Sequence, residues 1–321
     1  MANDSGLFRT REELEADGWL LDGNVFRNGN SAYLPLYEGK MIHQFTHRWG
    51  DYGMLAPGES GHELPSIPED LLAHAAYLPM PRYWVDAEEV NSRLGDRWSR
   101  SWLLGWRRIS GTEKIRTLIA TTFSRSAVGD SLFLALPGAT PAAVACLAAC
   151  LSSFVVDYVA RQKIGGTNFN YYIFRQLPIL PPASYDMAAP WDPRTSIASW
   201  VCWRVLELTY TAWDLKGFAG DFGYSGPPFR WDDERRALLR AELDACFFHL
   251  YGIERDDVDY ILDTFPIVRR TDEAAHGEYR TKRLILECYD AMAKANSSGE
   301  PYRTVLVPPP ADPAVAHFSQ S

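Results

Sequence analysis

The sequence predicts an α+β protein, with a mixed α/β region followed by a helical one. Two observations carry this. From Trp19 to Leu136, short apolar or β-branched runs alternate with turn dipeptides, the pattern of strands and hairpins. From Ser196 to Ala295, apolar residues recur at helical spacing between helix-start and helix-stop residues. The 321 residues suffice for two domains, or one large one, around a substantial core.

Arg9 to Ala16 is a short Glu-rich helical pattern stopped by Gly18. Trp19 to Tyr37 contains Asp22-Gly23 and Asn28-Gly29, dipeptides that tolerate the positive φ of tight hairpin turns. Lys40 to Trp49 continues as strand or loop, so residues 1–55 read as an N-terminal β-rich segment. Residues 56–81, with Pro57, Pro65, Pro68, Pro79 and Pro81, read as a connector. Within 82–182, Asp86 to Leu94 is a polar helix, and Trp102 to Ile109, Arg116 to Phe123 and Ser131 to Leu136 are strands. Pro141 to Arg161 is the strongest helix, with Thr140 as N-cap and Pro141 at its first position. Tyr171 to Leu177 is a further strand, ended by Pro178, and residues 178–193 read as a linker. The helical region, 194–296, holds Ser196 to Ala212, Asp232 to Tyr251, Asp256 to Thr264 and Glu278 to Ala295. Residues 305–321, with three consecutive prolines, are expected to form a mobile tail.

Hydrophobic and charged contents of 46% and 23% are those of an ordinary folded chain and argue against disorder. No apolar run reaches the roughly 18 residues of a membrane span. Met1 to Thr10 has no basic stretch leading into an apolar one, so a cytoplasmic location without a membrane partner is expected. The five cysteines form no Cys-x-x-Cys pair and are expected as buried thiols rather than zinc ligands. A net charge of −9 argues against indiscriminate coating of nucleic acid. The charge is uneven, however: Arg82 to Arg175 holds twelve basic and seven acidic residues, a basic middle between acidic ends. Trp84, Trp98, Trp102 and Trp106 lie near arginines there, placed either to stack on bases or to fill the core.

Two longer segments carry a family signal. One, Tyr33 to Phe45, contains Glu38-Gly39-Lys40-Met41-Ile42-His43-Gln44-Phe45. The other, Leu151 to Asn170, contains Arg161-Gln162-Lys163-Ile164-Gly165-Gly166-Thr167-Asn168 and runs on to Gln176-Leu177-Pro178-Ile179. In this order they resemble the target-recognition and C-terminal region of adenine-specific DNA methyltransferases of the fused restriction–modification and phage-defence type. Arg107-Arg108-Ile109, Ile115 to Thr121, Pro228 to Asp232, Arg240 to Ala245, Leu250 to Gly252, Tyr260 to Pro266 and Gly277 to Thr281 are also similar, so the resemblance covers about Leu7 to Ala295. It implies a mixed α/β target-recognition domain at 82–182 followed by a helical domain, with double-stranded DNA as partner. It also implies a separate adenine methyltransferase domain or subunit that binds S-adenosylmethionine and flips the target base.

The catalytic signature of that family, Asp/Asn/Ser-Pro-Pro-aromatic, has only Gly226-Pro227-Pro228-Phe229 as a near match, and glycine supplies no side-chain acceptor. No glycine-rich strand-to-helix turn for S-adenosylmethionine follows a convincing strand. The chain is therefore expected to hold no cofactor and to be a non-catalytic part, as a subunit or as the end of a fused enzyme. Arg161, Gln162, Lys163, Thr167 and Asn168 offer phosphate and base-edge donors beside two glycines that permit close backbone approach. A glycine cap closing a helix with a basic last turn explains the same residues structurally. Arg116 and Thr117 are candidate phosphate anchors, and Arg107 and Arg108, on opposite faces of a strand, offer one contact between them. An alternative is a Mg²⁺-dependent endonuclease using Asp22, Glu38 and Lys40. A third is a protein-interaction scaffold in which the helical region docks a methyltransferase.

Overall fold

A computed structural model describes residues 4–318 and is of the α+β class. Its chain divides into two compact units. The first combines residues up to 109 with 119–138 and 209–228; the second combines 110–118, 139–208 and 229 onward. Residues 82–182, expected as one domain, are thus shared between the units.

In the first unit, α1 (Arg11–Ala16) begins with a reciprocal cap, Thr10 Oγ1 accepting from the Glu13 N–H and the Glu13 carboxylate from the Thr10 N–H. The strands β1 (Leu20–Asp22), β2 (Val25–Asn28) and β3 (Ser31–Tyr37) form an antiparallel meander. Its turns place Gly23 at φ +61° and Gly29 at φ +57°, as the Asp-Gly and Asn-Gly signals require.

The proline-rich stretch carries α2 (Glu69–Leu72) and is anchored rather than loose. The buried Arg48 donates to the carbonyls of Leu72, His74 and Tyr77, and Asp51 accepts from the Gly53 and Met80 N–H groups. β4 (Trp84–Asp86) pairs with β3, and Trp84 packs edge-on against Phe26 over Leu14. α3 (Ala87–Leu94) starts where Asp86 caps the Glu88 N–H.

A second sheet has the order β6-β5-β8, from β5 (Trp102–Arg107), β6 (Ala120–Ser124) and β8 (Leu132–Ala135), while β7 (Ala127–Val128) runs parallel to the end of β3. Trp84, Trp98, Trp102 and Trp106 are all buried and therefore core, not stacking surfaces.

The second unit opens its helical part with α4 (Pro141–Ser152) and α5 (Phe154–Lys163). The sequence predicted one helix here; the chain bends by 63° at Ser153. The Ser153 hydroxyl donates to the Cys150 carbonyl and caps the Val156 N–H, while the Phe154 N–H donates to Asp244 Oδ1. Apolar spacing runs unbroken across this point, so the break rests on the local Ser153 cap together with the tertiary partner Asp244.

α6 (Tyr171–Phe174) replaces the strand expected at Tyr171 to Leu177: the Ile173 and Phe174 N–H groups close onto the Asn170 carbonyl, overriding the β-propensity of the aromatics. Residues 178–193, expected as a linker, contain a 3₁₀ turn (Pro182–Asp186) and the first strand of a hairpin, β9 (Ala188–Ala189) with β10 (Asp192–Ser196). α7 (Ile197–Thr209) follows, and α8 (Lys216–Gly220) belongs to the first unit. α9 (Asp233–Leu250), α10 (Arg255–Asp263), α11 (Pro266–His276) and α12 (Arg280–Ser298) complete the second.

α11 was not anticipated, although Pro266 at its first turn and Gly277 in the left-handed region after its end are recognisable start and stop signals. The expected mobile tail is packed as far as it is described. Arg235 donates to the Pro308 carbonyl at 2.8 Å, the Ala311 N–H donates to Glu207 at 2.7 Å, and Ala316 bridges to Phe229. Residues 319–321 of that tail lie outside the described residues. No single helix among the described residues is long and apolar enough to cross a membrane.

Candidate nucleic-acid interface

Seven of the nine expected DNA-binding residues lie in the second unit, at the α5 end and following loop or in the segment tied to it, 110–118. The tie is explicit. Arg161 Nη2 donates to the Lys114 and Ile115 carbonyls at 2.9 and 3.3 Å, and the Ser110 N–H donates to the Thr167 carbonyl at 3.0 Å.

Arg116 and Thr117 turn inward rather than outward. The Arg116 Nε lies 2.6 Å from Asp157 Oδ2, its Nη2 donates to the Ser152 carbonyl, and its guanidinium sits 3.9 Å over the Phe154 ring. The Thr117 and Leu118 N–H groups both donate to the Asp157 carboxylate, which is fully buried. The Arg-Thr pair is therefore the socket for a buried aspartate, which also explains why the strand expected from Arg116 begins only at Ala120. A buried carboxylate needs such donors, since an unpaired one would be costly.

Arg161 also serves the fold. It donates to the Thr264 carbonyl, lies 4.1 Å over Phe265, and burial lowers its pKa from the ordinary arginine value. Arg107 and Arg108 belong to the first unit. Arg107 donates to the Ile42 carbonyl, and burial pulls its pKa down to about 10; Arg108 pairs with Asp130 at 2.6 Å. All four arginines are thus committed to partners within the protein.

What remains outward is the run Gln162, Lys163, Gly165, Gly166, Thr167 and Asn168, all exposed. The helix does not end on a glycine cap: the residue after α5 is Ile164, in extended conformation, and neither Gly165 nor Gly166 has a positive φ. A Cβ added at either glycine would meet nothing within 4 Å. Nothing inside the protein requires glycine at these positions. Next to this loop, Tyr171 and Tyr172 of α6 are 44% and 64% exposed. Lys114, Lys163 and Arg175, exposed on these same segments, have no acidic partner among the described residues, whereas Glu113 is the exposed acid on the 110–118 segment. Sequence reasoning missed Lys114, Arg175 and the two tyrosines, because only the fold ties their segments to the glycine loop.

No family model, curated protein or solved structure matches the chain. The functional reading therefore rests on the residues alone.

The endonuclease set does not assemble. Asp22 stands opposite Val25, and the β2–β3 register continues that row to Leu34, four residues before Glu38. Strand rise and spacing then separate the Asp22 and Glu38 backbones by ~16 Å, more than the two side chains and two Mg–O bonds of ~2.1 Å can span. Asp22 instead pairs with Arg27, and Glu38 accepts from the Tyr52 hydroxyl at 2.6 Å. Gly39 has a packing reason, since a Cβ there would lie 2.5 Å from the Ser131 carbonyl oxygen. His43 and His47 do not share a ligand: His43 stacks near Trp49 and His47 Nε2 lies 2.8 Å from Asp214 Oδ2. Gly226-Pro227-Pro228 is a turn whose Gly226 and Pro227 carbonyls accept from the Tyr210 and Tyr224 hydroxyls.

Proposed function

We propose that this chain is the DNA-recognition portion of an adenine-N6 DNA methyltransferase or restriction–modification system, with methyl transfer from S-adenosylmethionine carried out by another domain or subunit. The contact surface is Gln162, Lys163, Thr167 and Asn168, extended by Lys114, Arg175, Tyr171 and Tyr172. The observation that carries this is the pair of glycines, Gly165 and Gly166, free of any internal need and flanked by cations without acidic partners in a chain of net charge −9. An exposed glycine loop lets a phosphate backbone approach closely, lysine and arginine fix register on it, and glutamine and asparagine offer paired donors and acceptors to base edges. Arg107, Arg116, Thr117 and Arg161 act through the fold rather than on DNA, while Arg108 is held only in a surface pair with Asp130.

Duplex binding measured across a range of salt concentrations tests this. Removing one cation that neutralises a phosphate should flatten the slope of log K against log salt by about 0.9. Lys114→Ala, Lys163→Ala and Arg175→Ala together should weaken binding and flatten the slope. Absence of duplex binding by the parent chain, or an unchanged slope in the triple variant, overturns the reading.

A further inference from the structure

The segment Tyr33 to Phe45 takes no part in the surface above, yet its end lines a partly polar cleft of the first unit, about 550 Å³. Glu38 and Lys40 form one wall, and Tyr52, His62, Arg82 and Tyr83 form the others. The charges are not balanced. Glu38 is committed at both ends, accepting from the Tyr52 hydroxyl at 2.6 Å and lying 3.4 Å from Lys40 Nζ. Lys40 is further fixed by the Gly61 carbonyl and sits 4.9 Å over the Tyr52 ring. Burial and Glu38 hold the Tyr52 phenol protonated, so it remains a donor. Arg82 lies 5.2 Å over the Tyr83 ring and reaches the Tyr52 hydroxyl, and neither Arg82 nor His62 forms an ion pair among the described residues. The cleft thus offers an anion site next to aromatic and aliphatic walls, the latter including Leu36, within the volume range of small-molecule pockets.

We propose that this cleft binds one nucleotide, its phosphate held by Arg82 and His62 with Lys40 behind them and its base against the tyrosine-lined wall. A simple anion would use the cations but not the Phe8, Tyr52 and Tyr83 side chains that line the same cleft; a neutral heterocycle would leave Arg82 without a counter-charge. Arginine on phosphate and an aromatic surface for a base are the two elements that any nucleotide, free or unstacked from a strand, engages without sequence readout. The site is independent of the duplex-binding loop in the second unit.

Calorimetric titration of the full chain with the adenosine, guanosine, cytidine and thymidine monophosphates, with inorganic phosphate, and with a single-stranded oligonucleotide tests it. At least one nucleotide or the oligonucleotide should bind, and at least about tenfold more tightly than phosphate, the increment of one base–aromatic contact. Arg82→Ala should weaken that binding about tenfold or more, the loss of one charge-assisted hydrogen bond. Tyr83→Leu should weaken the nucleotide but not phosphate. Arg82 is exposed and Tyr83 half-buried against Phe8, and unchanged thermal melting of the variants confirms that the fold is kept. Binding of free mononucleotides identifies a free nucleotide as the source; binding of the oligonucleotide alone, sensitive to Arg82→Ala, identifies an unstacked nucleotide of a strand. Phosphate binding as tightly as every nucleotide, indifference to Arg82→Ala, or no binding by any of these probes overturns the proposal. Loss of duplex binding in the Lys114/Lys163/Arg175 variant with nucleotide binding intact separates this site from the other.

Discussion

Arg116→Ala separates the two roles that arginine was expected to play. In the structure Arg116 is the cationic partner of Asp157, a fully buried carboxylate that also receives the Thr117 and Leu118 N–H groups. Removing the guanidinium leaves the carboxylate with backbone donors only and uncovers the Phe154 ring. Breaking a buried ion pair from one side costs about 3–5 kcal/mol. With a urea dependence of roughly 2 kcal/mol per molar, the unfolding midpoint should fall by about 2 M. Tryptophan fluorescence against urea reads this directly. Lys163→Ala is the matched control, since that side chain is exposed without an acidic partner and its removal should move stability by no more than about 0.5 kcal/mol. The DNA readout should reverse the order: at low temperature, where Arg116→Ala remains folded, its salt slope should equal that of the parent. An Arg116→Ala protein with the parent's urea midpoint and a flattened salt slope would refute the assignment and return Arg116 to the DNA.

Burial raises the Asp244 pKa to about 6, against the opposing pull of Arg116 and the Phe154 N–H. A carboxyl whose folded value lies above its unfolded one binds protons preferentially in the folded state, so its contribution to stability declines as pH rises from about 4 to about 6. Asp244→Asn should therefore gain on the parent by up to about 3 kcal/mol between pH 4 and pH 7, read from urea midpoints; an equal offset at both pH values counts against the cause. The five cysteines, Cys146, Cys150, Cys202, Cys246 and Cys288, are all buried free thiols, with burial pushing Cys288 up to about 12. None should react with an aromatic disulfide reagent at neutral pH until urea unfolds the chain, whereupon five equivalents should appear; rapid reaction of any thiol in the native protein would contradict that burial.

Local chemistry was sufficient where neighbours along the chain settle the outcome. Asp22-Gly23 and Asn28-Gly29 announced the meander, Thr140-Pro141 announced the start of α4, and Asp232 announced α9, because a turn or cap is decided within four residues. The thiols were likewise legible, since no ligand spacing competed with core packing. The errors share a different cause. Pro141 to Arg161 reads as one helix because its apolar spacing runs through Ser153, whose cap is reinforced by Asp244, 90 residues away. Tyr171 to Phe174 looked extended because β-propensity measures packing that this segment does not have.

The candidate site divides along the same line. Sequence alone named the glycine loop and its flanking Gln162, Lys163, Thr167 and Asn168, because glycines, amides and a cation in one run have a readable chemistry. It also named Arg107, Arg108, Arg116 and Arg161, which carry the same chemistry and yet spend it on Ile42, Asp130, Asp157 and Thr264. For Arg116 the outcome is settled by the burial of Asp157, which exists only once 110–118 has been drawn onto α5, and Arg107 and Arg161 are held by carbonyls distant in the chain; residue type was determined by the sequence and direction by the tertiary structure.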